Sequence, residues 1–220
     1  MMEIATSVLN VIGKENPTKI FYDLEVAKTD YYHIDVMDGR FVEKNTDKEM
    51  HEFSNTIKQI SNLPLDVHLM VSDVKEYIDR YASFEPLYIT IHYEACKDKK
   101  EVRELLKYIR ESNIRCGLSI KPNTTLEEIY EFLPEISLCL IMSVEPGKGG
   151  QKFMTESLEK IRTLSKYIKE NDLDTYIEVD GGINNTNIKS TVEAGADILV
   201  VGSAIIEAED YKKEIECLKQ

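Results

Sequence analysis

Eight short apolar runs recur along the chain and predict eight β-strands. The runs are Ile4–Leu9, Tyr32–Met37, Leu65–Met70, Leu87–His92, Arg115–Ile120, Leu138–Met142, Tyr176–Val179 and Ile198–Val201. Longer segments with helical spacing and surface charge lie between them. Strands that alternate with helices predict parallel pairing through right-handed crossovers. Eight such units in 220 residues therefore predict an α/β protein with a single (β/α)8 TIM barrel domain over residues 1–220.

Helix signals between the runs agree with this interpretation. Residues 101–111 carry one aliphatic stripe, and Asp98 precedes them as a candidate cap. Thr124 with Glu127 resembles a capping box at the start of another helix, and a further helix is predicted over residues 155–170. An open doubly wound sheet is the competing fold. It usually has a glycine-rich turn after its first strand, and residues 7–10 contain no glycine.

Composition narrows the possible partners and location. The chain is 42% hydrophobic and 30% charged, as is ordinary for a soluble globular protein. Its net charge of −13 argues against nucleic acid and anionic membrane as partners, because phosphate backbones attract basic surfaces. We expect no signal peptide and no membrane span, since no apolar run approaches about 18 residues. The four cysteines lack metal-binding spacing, which favours reduced thiols and a cytoplasmic location.

One predicted strand has a polar face that requires an explanation. In residues 32–37, His33, Asp35 and Met37 alternate with three apolar residues and therefore share one face. An inward imidazole and carboxylate are costly unless a partner satisfies them. The carboxyl ends of other strands carry further polar residues, and in TIM barrels all these ends meet at the catalytic face. They include His68, His92, Glu178 and Asp180. The imidazole of His33 and the carboxylate of Asp35 are within reach of one bound ion.

Five segments in order resemble the ribulose-phosphate 3-epimerase family. They are YHIDVMDGRFV at 32–42, LDVHLMV at 65–71, MSVEPGKGGQKF at 142–153, IEVDGGI at 177–183 and VGSAI at 201–205. The resemblance extends from about residue 4 to residue 211, and five motifs at barrel spacing make it specific. It implies a metal-dependent isomerase that inverts C3 of a ketose phosphate and interconverts D-ribulose 5-phosphate and D-xylulose 5-phosphate.

The resemblance also implies roles for individual residues. One divalent ion (zinc, iron(II), cobalt or manganese) is expected on His33, Asp35, His68 and Asp180, while Asp35 and Asp180 are expected to exchange the C3 proton through an enediolate. Met37, Met70 and Met142 match methionines that line the family's site, and Ser7 and His68 are expected to contact substrate. His92 is expected to support the ligands from behind.

The phosphate half of the predicted site has an independent physical basis. Loops after strands 7 and 8 of such barrels often bind phosphate beside a helix N-terminus. Gly181 and Gly182 follow strand 7, Gly202 and Ser203 follow strand 8, and residues 147–150 form a flexible GKGG segment that resembles a lid. The predicted substrate contacts in these loops are Gly147, Gly149, Gly150, Gly181, Gly182, Gly202 and Ser203.

Alternatives remain open at the level of sequence. The same chemistry can act on a hexulose 6-phosphate such as D-allulose 6-phosphate, and a barrel that binds a phosphosugar without turnover is a second possibility. A Schiff-base aldolase requires an inward lysine, for which Lys121 is the nearest candidate. In the lid, Glu145 and Lys148 depart from the family pattern; they either pair or leave Lys148 free to reach the substrate phosphate. The resemblance implies a homo-oligomer.

Overall fold

The apolar runs form eight parallel strands that close on themselves in sequence order, each strand pairing with the next and the last pairing with the first. The computed structural model describes residues 2–220. Its strands are β1 Glu3–Ser7, β2 Tyr31–Met37, β3 Leu65–Met70, β4 Tyr88–His92, β5 Arg115–Ile120, β6 Leu138–Met142, β7 Tyr176–Asp180 and β8 Ile198–Val201. The predicted (β/α)8 barrel is confirmed.

Eight α-helices surround the barrel within residues 2–220. They are α1 Pro17–Val26, α2 Asp47–Ile60, α3 Val74–Ala82, α4 Lys99–Glu111, α5 Ser157–Glu170, α6 Ile188–Ala194, α7 Ser203–Ile206 and α8 Tyr211–Leu218. Asp98 caps α4 as predicted, because its Oδ1 accepts the backbone N–H of Glu101 at 2.9 Å. None of these helices is both long enough and apolar enough to cross a membrane.

Two details of the predicted secondary structure are wrong. The first strand ends at Ser7 rather than Leu9, because the Ser7 hydroxyl accepts the N–H of Leu9 and starts a 3₁₀ turn over Val8–Val11. The segment after β5 is not an α-helix with a capping box; it forms two 3₁₀ turns, Leu126–Glu128 and Tyr130–Glu135. The Thr124 hydroxyl donates to the Glu94 carboxylate instead of capping a helix.

Side chains along each strand point alternately outward, toward the helices, and inward, into the barrel. The outward residues of β2, Tyr32, Ile34 and Val36, are buried in the main hydrophobic core beneath the helices. Inside the barrel, an apolar cluster fills the end where the strands begin, and Met37 and Met70 pack with Leu9 near the end where they finish. Between these apolar groups lie the buried polar residues His33, Asp66, His68, Thr90, His92, Ser119 and Glu178. The barrel thus buries a polar layer just below its carboxyl-end mouth.

Candidate metal centre and active site

Four side chains from three strands converge at the mouth of the barrel. His33 and Asp35 lie on β2, His68 lies on β3 and Asp180 ends β7. Each offers one ligand atom, and these atoms all lie within 4.8 Å of one another. Asp35 and His68 are partners in the β2–β3 register, which explains why residues 33 positions apart in the chain sit side by side. The structure therefore brings together the four residues that the sequence predicted as metal ligands.

The chemistry of these donors fits a divalent cation. Nε2 of His33 and Nδ1 of His68 are both buried, and neither has a hydrogen-bond partner in the part of the chain that the structure describes. Both nitrogens face Asp35 Oδ1 at 3.4 Å, and His68 Nδ1 also lies 3.8 Å from Asp180 Oδ2. Buried polar atoms without partners are rare. A cation ligated by two imidazoles and two carboxylates satisfies all of them.

A third carboxylate orients His33 from below. Asp66 Oδ2 lies 2.5 Å from His33 Nδ1, and Glu178 Oε1 lies 3.8 Å from the same nitrogen. Such a carboxylate–histidine pair leaves the other ring nitrogen free to face a metal. Asp66 was not among the residues predicted for the site. It lies two residues before His68 and therefore on the same face of β3, which can be read from the sequence. It is also the register partner of His33, which cannot.

His68 is supported by a second histidine, in agreement with the expectation that His92 lies behind the ligands. The two Nε2 atoms are 2.9 Å apart, and His92 Nδ1 lies 3.1 Å from Glu94 Oε2. Burial lowers the pKa of His92 to about 4, so its imidazole is neutral at pH 7. Burial raises the pKa of Glu94, but hydrogen bonds, first from His92, outweigh it and lower that pKa to about 2. Glu94 is therefore ionised.

The two aspartates experience opposite electrostatic environments. Burial raises the pKa of Asp35, but His33 and His68 outweigh burial and hold it well below its usual range. Burial and the nearby Asp35 carboxylate raise the pKa of Asp180 to about 6. Burial alone lowers the pKa of His33, yet the charges of Asp66 and Asp35 keep it well above its ordinary value. Carboxylates with separated pKa values are a recurring feature of acid–base catalysis.

A cavity opens directly above this cluster. Its lining includes the predicted residues Ser7, Asp35, Met37, Met70, Met142, Gly147, Gly149, Gly150, Asp180, Gly181, Gly182, Gly202 and Ser203. His33 and His68 are completely buried and do not line it. The Ser7 hydroxyl donates to Asp35 Oδ2 at 2.7 Å, so it contacts a proposed base as well as the cavity. Asn10 and Gln151 also line the cavity, although neither residue was predicted to belong to the site.

The lid segment over the cavity is held by hydrogen bonds from one side chain to the backbone. The Gln151 amide donates to the carbonyls of Glu145 and Lys148 at 2.6 and 2.9 Å. Within residues 2–220, no ion pair joins Glu145 to Lys148, and Lys148 is exposed and lines the cavity. Lys121, the candidate for a Schiff base, instead lies over the Phe41 ring at 4.2 Å and does not line the cavity.

Comparison with known proteins decides the family. The model of the ribulose-phosphate 3 epimerase family matches residues 3–206, which is nearly the whole chain. The chain belongs to this family. Among its relatives, the ribulose-phosphate 3-epimerase of Helicobacter pylori is 39% identical over 88% of this chain and 87% of its own length. The ribulose-phosphate 3-epimerase of Bacillus subtilis is 34% identical over 98% of this chain and 97% of its own.

More distant solved structures share the fold of this epimerase family member. The 3-hexulose-6-phosphate synthase of Salmonella typhimurium superimposes with a TM-score of 0.66 at 17% identity, covering 100% of this chain and 97% of its own. The thiamine phosphate pyrophosphorylase of Pyrococcus furiosus gives a TM-score of 0.66 at 18% identity, covering 99% and 93%. At such identities the likeness concerns the barrel alone, so the assignment of the family depends on the sequence relatives.

Proposed function

We propose that this protein is a metal-dependent isomerase that interconverts D-ribulose 5-phosphate and D-xylulose 5-phosphate by inverting C3. The observation that carries the proposal is the cluster of His33, Asp35, His68 and Asp180, whose ligand atoms converge within 4.8 Å at the floor of the cavity. Family membership and the names of the relatives agree with it. The chemistry of inversion requires two proton-transfer groups beside one carbon, and the cluster includes two carboxylates.

The four residues of the cluster would hold one divalent ion, for which zinc, iron(II), cobalt and manganese suit a mixed imidazole and carboxylate site. When bound, such an ion stabilises the negative charge that develops on the substrate oxygens, which is worth several kcal/mol. His33 and His68 would each contribute one ring nitrogen from below, Nε2 and Nδ1 respectively. Asp35 and Asp180 contribute charge and remain at the cavity surface, where they can also contact the substrate.

Asp35 and Asp180 are proposed to act as the two acid–base groups. The C3 proton is acidic because it lies next to the C2 carbonyl, so its removal by one aspartate leaves an enediolate. The other aspartate returns a proton to the opposite face of C3, and the roles exchange in the reverse direction. The Ser7 hydroxyl holds Asp35 through its Oδ2. The apolar side chains of Met37, Met70 and Met142 would exclude water from the reacting carbon.

The phosphate is proposed to bind where two loops meet the lid. Gly181, Gly182, Gly202 and Ser203 border the cavity, where their backbone N–H groups would face the anion, and α7 begins at Ser203. Glycines allow an anion to approach the backbone closely. Such neutral donors explain how a chain with a net charge of −13 would hold a dianion. The lid residues 147–150 would close over the sugar.

Several broader assignments belong to the same proposal. The ligand is a small ketose phosphate, and the net charge of −13 supports the absence of nucleic acid and membrane partners. The barrel is the one domain of residues 1–220. A cytoplasmic location agrees with four cysteines that form no disulfide among the described residues. A homo-oligomer agrees with the exposed apolar side chains Tyr22 and Val26 on α1.

A deuterium experiment tests the function directly. Purified protein is stripped of metal, reloaded with each candidate ion, and incubated in D₂O with D-ribulose 5-phosphate or with D-allulose 6-phosphate. We expect the loaded protein to prefer the pentulose and to place one deuterium at C3 of the product before any appears in the remaining substrate. A preference for the hexulose would change the substrate assignment. If the protein bound the sugar phosphate but exchanged no C3 proton with any of the metals, it would instead be a non-catalytic phosphosugar-binding barrel.

A further inference from the structure

His68 makes a contact on the side of its ring that faces away from the metal ligands. Its Nε2 lies 2.9 Å from Nε2 of His92. Both side chains are completely buried, and their rings meet edge to edge, with centroids 5.0 Å apart and planes inclined by 28°. At this distance one nitrogen donates a proton to the other. The direction of that hydrogen bond decides which nitrogen of His68 carries its proton.

The direction follows from the other end of the contact. His92 Nδ1 lies 3.1 Å from Glu94 Oε2, and Glu94 Oε1 accepts the backbone N–H of Lys121 at 2.8 Å and the hydroxyl of Thr124. A carboxylate only accepts hydrogen bonds, so His92 must donate from Nδ1. In a neutral imidazole Nε2 is then the acceptor. His68 therefore donates from Nε2, and its Nδ1, which faces Asp35 and Asp180, carries no proton.

We propose that Glu94 is a positioning residue of the metal centre: acting through His92, it holds His68 in the tautomer whose Nδ1 is unprotonated and able to ligate the ion. The inference deepens the proposed function and rests on its metal site. Neither Glu94 nor His92 lines the cavity, so neither side chain contacts substrate there. Their role is to select the protonation pattern of a ligand before the ion arrives.

Glu94, the final acceptor in the series of hydrogen bonds from His68 through His92, is itself held in place. The ammonium group of Lys160 on α5 donates to the carbonyls of Pro122 and Thr124 at 2.6 and 2.7 Å, which fixes the segment that donates to Glu94. The Phe41 ring lies 4.9 Å from the His92 ring and covers it from the side of β2. These contacts oppose rotation of Glu94 or His92 away from the chain of hydrogen bonds.

The substitution Glu94→Gln tests the direction of the chain with almost no change in shape. If the glutamine carbonyl faces His92, its NH₂ group faces the backbone N–H of Lys121, and two donors oppose each other. If the NH₂ group faces His92, it forces the His92 proton onto Nε2 and displaces the His68 proton to Nδ1, where it blocks the ion. The first orientation costs a hydrogen bond, and the second keeps the hydrogen bonds but reverses their direction and inactivates a ligand.

The first measurement uses metal-free protein and needs no catalysis. Long-range ¹H–¹⁵N spectra resolve the ring nitrogens of the four histidines. In the unmodified protein we expect His68 protonated on Nε2 and His92 on Nδ1, and in Glu94→Gln a loss of this pattern. Protonation of His68 on Nδ1 in the unmodified protein would overturn the inference.

The second measurement is zinc affinity by competition with a fluorescent chelator. Substitution of groups that hydrogen-bond to metal ligands typically weakens metal binding by about 10- to 100-fold. We expect the loss in Glu94→Gln to fall in this range while kcat at saturating zinc changes by only about 2- to 3-fold. Glu128→Gln is the matched control, since the Glu128 carboxylate accepts the Tyr93 hydroxyl at the exposed surface and is expected to leave zinc affinity unchanged.

The outcomes separate the inference from the proposed function. Absence of zinc binding by the unmodified protein would contradict the metal site, while the histidine spectra would still test the tautomer. Unmodified affinity in Glu94→Gln would contradict the inference alone. If Glu94→Gln does not fold, Thr124→Val removes one donor to Glu94 with little change in volume; a 2- to 5-fold loss of zinc affinity supports the inference, and no change overturns it.

Discussion

The two halves of the barrel mouth are built on different principles. The proposed acid–base half stands on strands, and its four ligand side chains are between 0 and 18% exposed. The proposed phosphate half consists of glycine loops and a lid in which Glu145, Lys148, Gly149 and Gly150 are all exposed. Strand side chains are fixed by the packing of the whole barrel, whereas loops can change without disturbing it. We therefore expect strand substitutions to change kcat or metal affinity and loop substitutions to change KM.

The largest effect is expected from the two aspartates. Asp35→Asn and Asp180→Asn should each lower kcat about 10³-fold or more, because proton transfer and a metal ligand are lost together. With one base intact, one of the two epimers should still exchange its C3 proton with D₂O without inverting. Asp174→Asn, at an exposed position, is the control. Substantial inversion by either active-site variant would contradict the two-base proposal.

A smaller effect is expected from the carboxylate beneath His33. Asp66→Asn keeps an acceptor for His33 Nδ1 but removes its charge, so metal affinity should fall about tenfold or more. Added metal should restore most of kcat, because Asp66 does not line the cavity. Titration with zinc, followed by activity, measures both quantities. An unrecovered kcat at saturating zinc would assign Asp66 to the chemistry itself rather than to the support of a ligand.

In the loop half, a pair of glycine variants isolates the phosphate contacts. Gly182 and Gly150 both have positive φ angles, +68° and +70°. A Cβ at Gly182 would lie 2.5 Å from the backbone nitrogen of Phe153, whereas one at Gly150 would meet nothing within 4 Å. Both alanine variants bear similar conformational strain. A difference in KM between them therefore measures the effect of displacing the loop around Gly182. We expect Gly182→Ala to raise KM about tenfold relative to Gly150→Ala.

The smallest expected effect concerns the lid cation. Lys148→Met should raise KM about threefold with little change in kcat, and the difference should shrink as ionic strength rises, because an exposed charge is screened. Lys152→Met is the control, since Lys152 is exposed and does not line the cavity. Equal KM values for Lys148→Met and the unmodified protein at low salt would show that Lys148 does not reach the phosphate.

The strands and their candidate ligands could be predicted from the sequence better than the residues that hold those ligands in place. Apolar periodicity located the strands, and in four of the eight strands both ends agree with the structure residue for residue. Asp66 was missed because its partner lies on a neighbouring strand, and periodicity contains no information about register. Glu94 and Thr124 were missed for a related reason. Thr124 has the spacing of a helix cap, yet a partly buried carboxylate 30 positions earlier accepts its hydroxyl, and such tertiary competition overrides local signals.

The distribution of the four ligands along the chain has a consequence for folding. Three of them come from β2 and β3, in the first third of the sequence, and the fourth comes from β7. In the closed barrel, β8 and β1 stand between β7 and β2. An ion that ligates all four residues therefore spans the seam where the last strand joins the first. Its binding energy becomes available only when the ring of strands closes. The ion would therefore also stabilise the closed barrel against opening between β8 and β1.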